Sequence, residues 1–256
     1  MVRFFLKPAA AFALVSRPRS KLQMRHDSGA SLPGSTYDIL YDDGEDLIIV
    51  NKSSGLLTVP GIGEAKRDCL IVRLREDLNM KWEVRAAHRL DRDTSGLLAV
   101  PRSQRALRGL SIAFQDRQVT KRYRGRVRGK LTSFQGDIEA PIGKTTGDDR
   151  RRWSVLSSGR PSLTRYRVLS TTQKSTDLEL TPVTGRSQQL RVHLAHIGAP
   201  LLGDLIHADD DAAKAATRLC LHASRLEFDH PCRPGDRLVF ESQPTFDDDV
   251  IPEYLA

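Results

Sequence analysis

His88-Arg-Leu-Asp-Arg-Asp-Thr-Ser-Gly96 packs one imidazole, two guanidiniums, two carboxylates and two hydroxyls into a short segment that runs directly into the apolar residues Leu97 to Val100. Such a cluster reads as a turn at the mouth of a strand, where a rigid scaffold presents reactive groups. On chemistry alone, a solvated turn carrying surface ion pairs of little energetic value is the simpler reading. The flanking sequence decides between the two.

Upstream, Asp38 to Tyr41, the turn signal Asp42-Asp-Gly44 and Leu47 to Val50 predict a hairpin, followed by Lys52 and the segment Gly55 to Pro60. Leu70, Leu74 and Leu78, with Ile71, make a helical stripe. Downstream of the strand Gly96 to Val100, Ser103 is placed to cap a helix with Leu107, Leu110 and Phe114 on one side. From Val119 to Arg128 the pattern alternates. Val119, Lys121, Tyr123 and Val127 fall on one face of a strand, with Arg122, Arg124, Arg126 and Arg128 on the other. Leu163 to Ser170, Asp177 to Pro182, Leu219 to Phe228 and Arg237 to Glu241 read as further strands, and Ser187 to Ile197 as a helix. Strands in succession with few helices, and no βαβ series, predict an α+β fold: a mixed, mostly antiparallel sheet with flanking helices and loops.

The motif His-Arg-Leu-Asp-x-x-Thr-Ser-Gly at 88–96 resembles the signature of the RluA-type pseudouridine synthases. Two further segments are similar to the family's remaining motifs, in the same order: Lys121-Arg-Tyr123 and Leu178-Glu-Leu-Thr-Pro-Val-Thr-Gly-Arg-Ser-Gln-Gln-Leu-Arg-Val-His193. Supporting matches lie at Asn51 to Leu57, Gly203-Asp204 and Leu221-His-Ala223, so the resemblance runs from Tyr37 to Phe240. The compact members, which act on a ribosomal RNA hairpin and the anticodon arm of certain transfer RNAs and lack an S4-like domain, look closest.

That resemblance implies an isomerase that breaks the N1–C1′ bond of specific uridines, rotates the base and joins C5 to C1′. Asp91 matches the catalytic aspartate, whether it attacks ribose or base or takes a sugar proton. Arg191 matches the arginine paired with it; a guanidinium that close lowers a carboxylate pKa by about 1 to 3 units. On the predicted helix Arg191 lies opposite the core positions Leu190, Leu194 and Ile197. Tyr123 matches the tyrosine that stacks on the target base, worth about 1 to 3 kcal/mol per stacked base. Arg89 matches the arginine that fills the space of the flipped nucleotide. His88, Thr94, Lys121, Arg186 and Gln189, within the three motifs, are implied to contact substrate. Asp93 has no family role. The chain departs from the family at Gln188, where a histidine is usual, which puts the support of the active-site arginine in question.

The charge balance agrees with an RNA partner: the net charge is +8, which favours phosphate contacts and counterion release. Ten Lys or Arg stand between Pro101 and Lys130 against one acid, Asp116, whereas Asp236 to Glu253 holds six acids against Arg237. This segregation predicts a basic working face, with Arg122, Arg124 and Arg126 and the loop Arg150-Arg-Arg152 touching phosphates. Residues 1–26 carry six basic residues and no acid, the composition of an organellar import leader, and predict a mitochondrial location, with a cytoplasmic one as the alternative. A Ser, Gly and Pro-rich linker, Ser28 to Ser35, follows. The expected organisation is thus a leader and linker over 1–36 and a catalytic domain over 37–256, acting as a monomer.

Other chemistries fit less well. Cys69, Cys220 and Cys232 are too scattered for a zinc knuckle or disulfide framework. No apolar run approaches a membrane span. Gly143-Lys-Thr145 resembles the end of a phosphate-binding loop, but Ile138 stands where its first glycine belongs. His193 and His196 have ligand spacing without a third ligand. A glycosidase would need a second carboxylate motif. The remaining competitor is a catalytically weak RNA-binding factor on the same scaffold, for which Gln188 is the sole feature. The isomerisation involves no net redox change and consumes nothing, so no cofactor and no metal is expected.

Overall fold

Two strands of alternating register open the fold: β1 (Tyr37–Asp42) and β2 (Leu47–Lys52) form the expected antiparallel hairpin. Its turn is locked by the Asp43 carboxylate, which accepts the N–H groups of Glu45, Asp46 and Leu47 at 3.0, 2.8 and 2.9 Å. These observations come from a computed structural model that describes residues 36–80, 84–146, 153–244 and 246. The leader, the linker, the Arg150 to Arg152 loop and most of the acidic stretch after Glu241 lie outside the described residues.

β3 (Ser95–Pro101) runs antiparallel to β2 and parallel to β10 (Leu221–Asp229). Beyond β10 follow β4 (Thr120–Arg128), β9 (Ser175–Pro182), β8 (Leu163–Thr171) and the edge strand β5 (Gln135–Glu139), all antiparallel. β11 (Arg237–Glu241) pairs with β10, and β6 (Ile142–Lys144) with β7 (Trp153–Val155) in a separate ribbon. The close β3–β10 approach depends on Gly96, at φ 112°. A Cβ there would lie 2.4 Å from the carbonyl oxygen of Ala223, which explains the glycine that ends the opening motif.

Three helices cover this sheet, each on its own apolar cluster. α1 (Leu70–Asp77) places Leu70 and Leu74 on Ile48, Val50, Leu98 and Val100. α2 (Gln104–Gln115), capped by the Ser103 hydroxyl accepting the Ala106 N–H at 3.1 Å, places Leu110 on Leu47, Ile49, Leu97 and Ala99. β2 and β3 are therefore buried on both faces, which is why they read as continuous apolar runs. α3 (Gln189–His196) packs Leu190 and Leu194 on Val127, Leu178 and Leu180. The short α4 (Asp210–Lys214) covers a smaller cluster around Leu202 and Cys220.

The α+β expectation agrees with this architecture. β5, β6, β7 and α4 went unread, because polar edge strands and a one-turn helix carry no periodic signal. The helix expected from Ser187 starts at Gln189, since Gln188 sits in the left-handed region at φ 54°, ψ 20°. The face of α3 opposite the expected core positions, where Arg191 stands, is buried as well, whereas Ile197, expected in the core, is 39% exposed at the end of the helix. Residues Gln189 to Leu194 are all buried, because β8, β9 and the loop after Leu201 enclose the helix.

Candidate active site

The turn carrying Asp91 is held by the segment that follows β2. Thr58 Oγ1 donates to the Leu90 carbonyl at 2.8 Å and accepts the Leu90 N–H at 3.2 Å; the Gly55 N–H donates to Arg92 O at 2.9 Å; and Ser54 Oγ donates to Asp93 O at 2.7 Å. At the centre is Lys52, 1% exposed, whose ammonium donates to the carbonyls of Ser53, Leu56 and Arg92 at 2.8, 2.8 and 3.0 Å. Burial pushes its pKa down to about 8, while Asp93 and Asp91 pull it back, so it is charged at neutral pH. Lys52→Met keeps the side-chain volume and removes all three bonds. We expect it to cost about 1–3 kcal/mol of stability; an unchanged denaturation midpoint would show that the ammonium does not fasten the turn.

Asp91 meets Arg191 beneath this turn. Arg191 Nη1 lies 3.7 Å from Asp91 Oδ2; the Arg191 side chain is 3% exposed and that of Asp91 is 23% exposed. The carboxylate thus has a protein side and an open side. Burial holds the Asp91 pKa above its ordinary value, with Arg191 and then Arg89 opposing. This corrects the expectation of a net lowering: the guanidinium acts in the expected sense, but desolvation outweighs it at an ion-pair distance longer than a hydrogen bond.

Arg191 gives its best bonds to Asp204, with Nε to Oδ2 at 2.8 Å and Nη2 to Oδ1 at 2.5 Å. Asp204 is 1% exposed and also accepts the N–H groups of Ile206 and His207 at 2.9 and 3.0 Å. Burial raises its pKa, but the Arg191 bonds and these N–H groups outweigh that and hold it below the usual value. Gly203 brings the Asp204 turn against the chain before β10: at φ 73°, a Cβ on it would lie 1.9 Å from Arg218 O. Sequence reading had Gly203-Asp204 only as a supporting match. The available signal was a charge requirement, since a buried arginine needs a carboxylate partner.

Tyr123 lies on β4 opposite Ala223 of β10 and Leu180 of β9, packed between two apolar clusters. Burial, then the charge of Asp91, push its phenol pKa upward, so it stays protonated beside the carboxylate. Lys121, two residues earlier on β4, has its ammonium 5.8 Å from the Phe114 ring centroid, and burial lowers its pKa. Gly185, before α3, faces the same ammonium. Arg89 is exposed. Arg186 has a buried Nε without a partner. These three cations, one from each motif, are available to an anionic substrate.

Three residues expected to contact substrate are instead internal supports. His88 stacks on Phe114 at 4.1 Å and accepts the Ala99 N–H at Nε2, 3.0 Å. Burial, then the Lys121 charge, lower its pKa to about 3, so it is neutral. Thr94 is 3% exposed, behind the turn. Gln189 spends its whole amide internally, with Oε1 accepting from Thr184 Oγ1 and the Arg186 N–H and Nε2 donating to Leu163 O and Thr164 Oγ1.

The arginine strand is also corrected. Arg126 pairs with Asp177 at 2.7 and 3.2 Å and Arg122 with Glu179 at 3.4 Å; Arg124 faces Glu179 across the β4–β9 pair; and Arg128 pairs with Asp209 at 2.7 Å. The alternation itself was read correctly, but β9 places acids in register with the arginines, on the face away from Tyr123. A depression of about 460 Å³ on this far side, lined by residues including Asp137, Arg165, Arg167 and Glu179, shares no residue with the Asp91 cluster. Both His193 ring nitrogens are engaged, with Thr164 Oγ1 and Ala140 O at 3.0 Å. Among the described residues no group of three His, Cys, Asp or Glu is placed to hold a metal.

The arrangement suits covalent or proton-transfer chemistry by a carboxylate at an aromatic wall, over a guanidinium that stabilises its ionised form. Known proteins point the same way. The sequence profile of the RNA pseudouridylate synthase family matches residues 46–196. The dual-specificity RNA pseudouridine synthase RluA of Pasteurella multocida is 38% identical over 207 residues, covering 80% of this chain and 92% of that protein. Its Escherichia coli K12 counterpart is 35% identical over 209 residues, covering 81% and 93%. Among solved structures, human RNA pseudouridylate synthase domain containing 1 superposes with a TM-score of 0.69 at 28% identity, covering 83% of this chain and 86% of that one. With three motifs in order, a fold that brings them to one carboxylate, and this breadth of similarity, the chain belongs to the RluA-type RNA pseudouridine synthases.

Proposed function

We propose that the chain isomerises uridines in both a ribosomal RNA hairpin and a transfer-RNA anticodon arm, with Asp91 as the reacting carboxylate. The carrying observation is the two-sided setting of Asp91, open on one side and backed by Arg191 at 3.7 Å on the other. Arg191 favours the ionised form of Asp91 against the burial that disfavours it. Tyr123 offers the free uracil a flat surface while it turns, and Arg89 occupies the space the flipped nucleotide leaves. The base loses its C5 hydrogen to solvent and gains one at N1, so the exchange balances without oxidant, reductant or nucleotide. Arg89, Lys121 and Arg186 supply the phosphate contacts, which position RNA without reading its sequence. Selection of the target then falls to the shape of a single-stranded loop with splayed bases. The relatives' names carry two specificities, and the similarity spans nearly their whole length.

The test is release of tritium from C5-labelled uridine in two separate substrates, a transfer-RNA anticodon arm and a large-subunit ribosomal RNA hairpin. Release from both at comparable kcat/KM is expected. Release from one alone removes dual specificity, and release from neither removes the assignment to these RNAs.

A further inference from the structure

We infer that Gln188 and His207 are a positioning pair that fixes the Arg191 guanidinium, taking the place of the histidine that the family usually has at position 188. The inference rests on the reading of Asp91 and Arg191 as the reacting centre. Gln188 is the residue from which α3 starts, and its carbonyl accepts the Val192 N–H at 2.9 Å. Its side chain makes no capping bond to the helix. Instead Oε1 stands 2.8 Å from His207 Nε2. An amide oxygen only accepts, so the imidazole carries its proton on Nε2. The left-handed backbone of Gln188, at φ 54°, is unusual for a side chain of this size and persists where its surroundings hold it.

His207 belongs to the turn that Asp204 organises, donating its own N–H to Asp204 Oδ1 at 3.0 Å. The connections therefore close a ring. α3 holds Arg191, Arg191 holds Asp204, Asp204 holds the backbone of His207, and His207 returns to α3 through Gln188. The start of this turn is already tied to β4, to α4 and to the chain before β10, through Leu202 and Gly203. The Gln188–His207 bond ties its far end back to α3, three residues before Arg191, so the guanidinium is held from both sides of the loop. Gln188 is thus the acceptor half of a pair with His207 and not a lost function.

The test uses the full chain and three variants, Gln188→Met, His207→Phe and the double substitution, each close in shape and unable to form the bond. Two quantities are read: hydrogen exchange of the Arg191 Nε–H by NMR, and the single-turnover rate of tritium release alongside RNA affinity. Each single variant is expected to speed Arg191 Nε–H exchange by about tenfold or more and to slow the rate by about 10- to 100-fold, with RNA affinity unchanged. The double variant is expected to match the singles in its effect on Arg191, because the Gln188–His207 bond is lost in every case. Exchange and rate both at wild-type values in the singles, or effects that add in the double, overturn the inference. Faster exchange with an unchanged rate upholds the pair and instead removes Arg191 from the reaction.

Discussion

Asp91→Asn is expected to lower the rate of tritium release by roughly 10⁴-fold or more, the scale seen when an essential reacting group is removed, while RNA affinity stays within about twofold, since phosphate contacts dominate it. The substitution is nearly isosteric and the side chain is partly open, so folding is not at stake. Asn has neither the nucleophilicity nor the basicity of a carboxylate. The same group sets a pH dependence. Because burial raises the Asp91 pKa above its ordinary value of 3.8, the reactive ionised form is lost as pH falls through that raised value. The acid limb of the single-turnover rate therefore lies above 3.8. Removing the guanidinium in Arg191→Met takes away the largest opposing influence and moves the limb further up. Normal turnover by Asp91→Asn ends the proposed chemistry, whatever the pH profile shows.

Asp204→Ala carries the largest structural cost. It leaves the Arg191 guanidinium, 3% exposed, without the partner that takes its two shortest bonds. Removing one member of a buried ion pair costs about 3–5 kcal/mol, and here the remaining guanidinium would be left buried with only the longer 3.7 Å contact to Asp91. At about 2–4 °C per kcal/mol for a domain of this size, the melting temperature should drop by roughly 6–20 °C. A companion variant separates stability from chemistry. Arg191→Met with Asp204→Leu removes both charges and should recover most of the lost stability, since a buried pair is often replaceable by apolar residues of similar volume. It should not recover activity at neutral pH, because the largest influence favouring ionised Asp91 is gone and only Arg89 is left to oppose its burial. A melting temperature within a degree of wild type for Asp204→Ala would mean that water reaches Arg191 and that the pair is not a closed one.

The two substitutions probe different levels of legibility. Asp91 could be named from the resemblance of its motif to a family signature, and that motif is contiguous: Arg89, Leu90 and Thr94 stand beside it in the chain. Asp204 stands 13 residues beyond Arg191, across a loop, and nothing local announces that the two meet. Lys52 is similar. Its position beside a predicted strand was plain, but its grip on Arg92, 40 residues away, follows from β2 and β3 lying side by side. Among the arginines of β4, alternation assigned the correct face, yet the acids of β9 that pair with them depend on a cross-strand register no local pattern encodes.

Local sequence by itself determined what local physics governs: the hairpin at Asp42 to Gly44, the capped helix after Ser103 and the apolar runs of β2 and β3; Asp91 was singled out by the resemblance of its motif to a family signature. Turn geometry, helix capping and side-chain period act over a few residues, so the chain carries them in its order. Only the tertiary structure decided which charges are paired, which polar groups are spent as supports, and that Asp91 is pushed up in pKa instead of down. Desolvation and ion pairing depend on depth and on which strands become neighbours, and both are set by the packing of the whole sheet against its three helices.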